Sequence, residues 1–158
     1  MEFKIRKAKP KDIESIIFLC KEHAAYEKVA YDSTGKAEKL AAFLFAEQPK
    51  IFCLIAENEK GIIGYATYTF EFSTWDADFY VHMDCLYLRD FARGFGIGEA
   101  LIKEIARETI ENNCSLIQWQ TPVFNERAIK FYHRIGATSK EKLRCYLDEN
   151  AINRLINN

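Results

Sequence analysis

The run Arg93–Ile102, "RGFGIGEALI", decides the fold. Glycine occupies every second position from Gly94 to Gly98, a basic residue precedes the three, and an apolar repeat begins directly after them. Glycine weakens helices and strands alike, because it has the most backbone freedom to lose. Three glycines at a helix start therefore point to a backbone shape, or a close approach, that side chains would prevent. The segment before them, "DFYVHMDCLYL" (78–88), reads as a strand; Leu101, Ile102, Ile105 and Ala106 after them predict a helix to about Asn112. At such a strand-to-helix junction, convergent N–H groups and the helix dipole together favour an anion.

Two phosphate motifs can be tested against the string. A P-loop requires G-x-x-x-x-G-K-[ST], but Gly98 is followed by Glu99 and no such string exists in the chain. A dinucleotide fingerprint, G-x-G-x-x-G counted from Gly94, would need glycine where Glu99 stands. Three adjacent strands precede the loop, where a dinucleotide fold would place a βαβ unit. What remains is R-x-x-G-x-G over 93–98, a pyrophosphate cradle that needs neither metal nor lysine, with Arg93 able to add a charge-assisted contact. A tight turn with no ligand is the competing reading of this segment alone.

Outward from the loop, "EFKIRKA" alternates like a strand, and Pro10 opens a helix over 10–28 with Ile13, Ile16, Ile17, Cys20 and Ala24 on one face. "DSTG" breaks the chain, and a second helix spans 36–47, before Pro49. "IFCLIAE" and "GIIGYATYTFEF" are strands joined by the turn "NEKG", so antiparallel pairing is expected. "SLIQWQT" is a fifth strand. Asn125 caps a helix with Ala128, Ile129, Tyr132 and Ile135 on one face, and Gly136 stops it. "LRCYL" is expected as the last strand, with a short one at "ATS" before it. The order is β-α-α-β-β-β-α-β-α-β, a three-layer α/β arrangement on a mixed sheet.

Bulk properties narrow the function classes. The 158 residues suit one domain, and 49% hydrophobic with 28% charged residues is the balance of a soluble globular protein. A net charge of −1 lacks the basic footprint of nucleic-acid binding. No apolar run approaches the roughly 20 residues that cross a bilayer, and "MEFKIRKAKP" lacks a secretory core, so a cytoplasmic location is expected. The five cysteines stand singly, with no C-x-x-C and no zinc spacing to histidine, and read as reduced thiols; no metal is expected.

Arg93, Gly96 and Gly98, after a strand ending "CLYL", resemble the acetyl-CoA motif of the GNAT superfamily of N-acetyltransferases. "YEK", "YATYTFEFSTW", "RGFGIG" and "NERAIKFYHRIGA" are similar, in the same order, to the diamine (spermidine/spermine) branch, and the likeness covers residues 3–148. The resemblance implies a GNAT-type three-layer α/β/α fold over a single domain, 1–158, with a mixed, mostly antiparallel sheet splayed between strands 4 and 5. It implies acetyl-CoA as cosubstrate, a small-molecule amine as acceptor and a homodimer. Pantetheine would lie beside Leu86, Tyr87 and Leu88, and the pyrophosphate on Arg93, Gly94, Phe95, Gly96, Ile97, Gly98 and Glu99. Asn125, Ala128 and Tyr132 would close the other side.

The resemblance also assigns roles. Tyr132 matches the family's general acid; a phenol with a pKa of about 10 keeps its proton at neutral pH and can return it to a thiolate. Asp84 aligns with the acidic residue that meets the substrate amine, and Tyr26, Glu27 and Glu141 with residues that line the amine site. A carboxylate is a poor base toward an aliphatic amine, so Asp84 reads as an electrostatic anchor or the start of a water relay. His82, which shares a face of a regular fourth strand with Asp84 and Leu86, has the better intrinsic pKa for a base. His23 and His133 read as surface residues. Cys53 and Cys85 raise an acyl-cysteine route, but no histidine is spaced to activate them, and direct attack by the amine is favoured.

Three departures from the branch bear on the acceptor: Ile135 stands where relatives carry a basic residue, Asp84 replaces a longer Glu, and the 139–143 loop is shorter. A peptide or protein amine, an aminoglycoside-type antibiotic, and a non-catalytic acyl-CoA-binding module remain the alternatives.

Overall fold

In the computed structural model, which describes residues 1–157, the alternating N-terminal segment forms β1 (Lys4–Lys7) on the outer edge of a sheet. Four further strands follow it in spatial order: β2 (Phe52–Asn58), β3 (Gly61–Ser73), β4 (Asp78–Leu88) and β5 (Ile117–Gln118). The first four are antiparallel to their neighbours, whereas β5 runs parallel to β4. The β4–β5 pairing is confined to Val81–Ile117 and His82–Gln118, so the two strands part company beyond His82. The sheet belongs to a compact unit, Met1–Val123; a second unit begins at Phe124.

Both faces of the sheet are covered. The β2 strand alternates Leu54 and Ala56 toward one core and Cys53 and Ile55 toward the other, as a doubly buried strand must. Helix α3 (Ile97–Glu111) supplies Ile97, Leu101 and Ile105 to the first core. Helices α1 (Ile13–Tyr26) and α2 (Lys36–Leu44) supply Ile16, Leu19 and Leu44 to the second. This is the three-layer, mixed-sheet architecture expected from the sequence. No helix among the described residues is long and apolar enough to cross a membrane.

β4 departs from the regular strand expected of it. Thr67 faces Cys85 and Tyr68 faces Met83, which leaves Asp84 as an extra residue, a β-bulge. The bulge reverses the alternation. Val81 and Met83 face the α3 core ahead of it, whereas Leu86 and Leu88 do so after it, and Cys85 and Tyr87 turn to the α1 core. By alternation His82 lies on the α1 side, away from Leu86. The expected grouping of His82 with Leu86 fails for this reason.

Other boundaries also moved. "SLIQWQT" is strand only at 117–118, and neither "ATS" nor "LRCYL" forms a strand. Leu143 and Tyr146 are exposed, and with no apolar surface to cover, alternation alone does not hold a strand. The second unit instead has α4 (Glu126–Arg134) and a helix absent from the sequence reading, α5 (Glu149–Asn157). The α4 ends are as expected. Asn125 Oδ1 accepts from Ala128 N–H at 3.3 Å, and Gly136, at φ +94°, ends the helix while the Gly136 and Ala137 N–H groups donate to His133 and Tyr132 C=O.

An ion cluster ties β1 to the start of α1. Arg6 forks onto Asp12 at 2.7 and 3.0 Å and also reaches Glu57 at 2.8 Å, while Asp12 accepts from Lys9 N–H at 2.7 Å. The Arg6 guanidinium holds the Asp12 carboxyl below its ordinary value. A carboxylate whose pKa falls on folding stabilises the fold fully above its unfolded value, about 3.9, and that contribution disappears as pH drops through the folded value. Asp12→Asn is expected to lower stability by about 2 kcal/mol at neutral pH. It should also flatten the acid limb of urea-melt stability plotted against pH.

Candidate active site

Beyond His82, β4 has an edge that β5 does not pair. Arg89 N–H donates to Ile63 C=O at 3.0 Å, which sets the ladder phase so that the backbone groups of Leu86 and Leu88 point away from β3. They face the side that β5 has left. Leu88 C=O already accepts from Arg93 Nε at 3.0 Å, so the groups offered to an extended ligand are those of Leu86 and the Leu88 N–H.

The glycine loop follows a short 3-10 turn, Asp90–Ala92. Gly94 and Gly96 are both left-handed, at φ +88° and +79°, and a Cβ added to either would meet nothing within 4 Å. Both therefore border open space, and what demands glycine is the backbone shape. Gly96 occupies the N-cap of α3 with no side-chain cap. Among the described residues no acceptor is recorded for the Gly94, Phe95, Gly96, Ile97 and Gly98 N–H groups. A dipole-bearing helix start with donors to spare favours an anion. Arg93 itself is engaged elsewhere: Nη1 lies 2.7 Å from Asp90, and the guanidinium lies 4.4 Å from the Tyr26 ring centre and 5.7 Å from that of Tyr87. It braces the end of α1 against the loop.

The end of α1 carries the acidic residues. Lys28, at φ +60°, closes the helix, and Val29 N–H and Lys28 N–H donate to Ala24 and Ala25 C=O at 2.9 and 3.1 Å. That leaves Tyr26 in the last turn and Glu27 at the cap. Beside them sits His23, expected on the surface from the sequence. Its side chain is only 15% exposed, its ring stacks on Tyr87 at 5.1 Å, Nδ1 lies 3.2 Å from Tyr65 Oη, and Nε2 lies 3.3 Å from Glu27 Oε1. The inward spacing Ile16–Leu19–His23 was the signal that could have placed it. Burial lowers the His23 pKa, opposed by the negative charges of Glu27 and Asp84. The bulge residue Asp84 is exposed, with Cys85 Sγ 3.6 Å from its carboxylate.

Nucleophilic cysteine chemistry finds no support in this environment. Burial, followed by the Asp84 charge, pushes the Cys85 thiol up to about 12, and burial raises Cys53 as well. A reactive cysteine needs the opposite shift. Among the described residues no group of three or more His, Cys, Asp or Glu is placed to hold a metal ion.

The structure thus brings Tyr26, Glu27, Asp84, Leu86, Tyr87, Leu88 and Arg93–Glu99 into the first unit, with the carboxylates on the α1 side of β4. Ala128 and Tyr132 lie on α4, which Asn125 caps, in the second unit, where the Tyr132 ring packs 5.2 Å from Phe131. Glu141 lies in the exposed, irregular stretch between α4 and α5.

Comparison with known proteins bears on this arrangement. Residues 13–137 match the acetyltransferase (GNAT) family model. The chain is 33% identical over 153 residues to a thialysine N-epsilon-acetyltransferase of Bos taurus, covering 90% of this chain and 89% of that protein. It is 28% identical over 142 residues to the Homo sapiens spermidine/spermine N(1)-acetyltransferase-like protein 1, covering 85% of this chain but 20% of that longer one. Among solved structures, an integron cassette protein from V. cholerae superposes with a TM-score of 0.77 at 26% identity, covering 100% of this chain and 99% of the other. With a family match across most of its length and a one-third-identical acetyltransferase relative spanning nearly all of it, the chain belongs to the GNAT family of N-acetyltransferases.

Proposed function

We propose that this GNAT enzyme, a single catalytic domain over residues 1–158 acting as a cytoplasmic homodimer, transfers acetyl directly from acetyl-CoA to a primary amine of a small diamine- or polyamine-like substrate. One observation carries the acceptor class: Glu27 lies 3.3 Å from the half-buried His23 ring, and the Asp84 charge, from the β4 bulge, acts on the same ring. Two negative charges there favour a cation with more than one charge. Relatives named for thialysine and for spermidine/spermine support an aminoalkyl acceptor.

Acetyl-CoA supplies a thioester-activated acetyl group; the chain's residues do the rest. Leu86 and the Leu88 N–H pair with the pantetheine arm, and the 94–99 backbone holds the pyrophosphate. Asn125 and Ala128 complete the set of residues that meet the cosubstrate. An aliphatic amine with a pKa near 10 is only about 0.1% neutral at pH 7, so a proton must leave it before attack. Asp84 orients the ammonium and passes that proton to water, with Tyr26, Glu27 and Glu141 lining the cationic chain. Tyr132 protonates the departing sulfur. The exposed Phe72, Trp75 and Phe79 of the β3–β4 hairpin support self-association, which sedimentation would reveal.

The test is thiol release from acetyl-CoA with a panel of diamines, lysine-like amino acids, aminoglycosides and peptides. Diamines are expected to give the highest kcat/KM; a panel in which no amine accelerates release would sink the proposal. The loop has its own check. Gly96→Ala forces a left-handed alanine, costing roughly 1–2 kcal/mol, and puts a methyl group into the cradle. CoA binding measured by calorimetry should weaken by about tenfold or more, with amine KM little changed. Undiminished CoA affinity would show that the loop is only a turn.

A further inference from the structure

The His23 contacts reach beyond the acetyl-transfer reading while resting on it for the identity of the acceptor. We propose that His23 is a positioning residue held as the neutral Nε2–H tautomer by Tyr65, and that it aims the Glu27 carboxylate at the incoming amine. The geometry admits little else. Nε2 faces Glu27 Oε1 at 3.3 Å, and a carboxylate accepts only, so the proton must be on Nε2. In a neutral ring Nδ1 is then bare, and the Tyr65 O–H at 3.2 Å donates to it. Tyr65 keeps that proton, because burial raises its pKa. Cys20 and Cys85, which also reach the Tyr65 hydroxyl, are weak acceptors and compete poorly for its single hydrogen.

The network is directional: Tyr65 O–H to Nδ1, then Nε2–H to Glu27. It fixes one oxygen of Glu27 and leaves the other for the substrate, with the negative charge intact. The groups facing the imidazole are Glu27 from its own helix, Tyr65 from β3, Asp84 and Tyr87 from β4, and Arg93 from the loop. Protonation of His23 at lower pH would place a positive charge beside Glu27 and repel a cationic amine. The KM for the amine is therefore expected to rise as pH falls through the His23 pKa, which lies below its ordinary value.

Nitrogen-proton correlation NMR of the resting protein reads the tautomer, and with three histidines the His23→Gln spectrum assigns the signal. The expected result is an Nε2–H tautomer that titrates below about 6.5. Tyr65→Phe should mix the tautomers and raise the titration midpoint. It should raise KM about tenfold for whichever panel amine the unmodified enzyme prefers, leaving kcat within about twofold and acetyl-CoA KM unchanged. His23→Leu should raise that KM similarly, whereas His23→Gln should stay near the parent, since its amide can accept from Tyr65 and donate to Glu27. An Nδ1–H tautomer, or unchanged amine KM in both Tyr65→Phe and His23→Leu, would overturn the proposal. Failure of the diamine reading appears separately, as preference for another amine in the panel.

Discussion

Replacing Tyr132 with Phe is expected to lower kcat by about 100-fold or more, with CoA affinity changed by less than about threefold. The substitution removes one oxygen and keeps the ring that packs against Phe131. The Asn125 cap and the Gly136 terminator of α4 are untouched, because they depend on backbone groups and on other side chains. General acid catalysis typically contributes 10²- to 10⁴-fold, so loss of the proton donor should appear in turnover rather than in binding. Single-turnover measurements with saturating acetyl-CoA would check it. An unchanged rate would remove Tyr132 from the mechanism and leave water to protonate the sulfur.

The second large effect is structural. Gly64→Ala would place a methyl carbon 2.3 Å from Leu88 Cδ2 and 2.7 Å from the Tyr87 carbonyl oxygen. The leucine methyl can rotate away, but the carbonyl belongs to the β3–β4 ladder and cannot. Relief from glycine's backbone entropy is worth at most about 1 kcal/mol, whereas overpacking a well-filled site costs typically 1–3 kcal/mol and here strikes backbone. A net loss of about 2 kcal/mol is expected, with Tm lower by roughly 4–8 °C. Because the displaced segment is Tyr87–Leu88, acetyl-CoA KM should rise in the same variant. Unaltered Tm and KM would mean that the β4 edge yields more readily than its geometry implies.

Local chemistry decided which features could be read from the sequence. The glycine loop was legible because left-handed backbone at Gly94 and Gly96 admits few other residues, and the caps at Asn125 and Gly136 were legible for similar reasons. The Asp84 bulge was not: it carries no glycine or proline, and it arises from how β3 and β4 pair, a relation between distant segments. His23 is a polar residue of a type that is buried only some of the time, and its spacing from Ile16 and Leu19 is what turns it inward. "LRCYL" has the alternation of a strand, yet Leu143 is 94% exposed; sequence pattern cannot say whether a partner strand is present. The family followed from the motif resemblance and the mixed α/β class from local patterning, whereas the sheet order and the wiring around His23 needed the three-dimensional register.

The central claim is that Glu27 and Asp84 make this acetyltransferase select a multiply charged amine. Its most direct test is kcat/KM for a diamine against a monoamine of equal chain length, under saturating acetyl-CoA and at low and high salt. A diamine advantage of about tenfold or more, shrinking as salt screens the carboxylates, is the predicted result. Equal kcat/KM for the two amines at every salt concentration would contradict it.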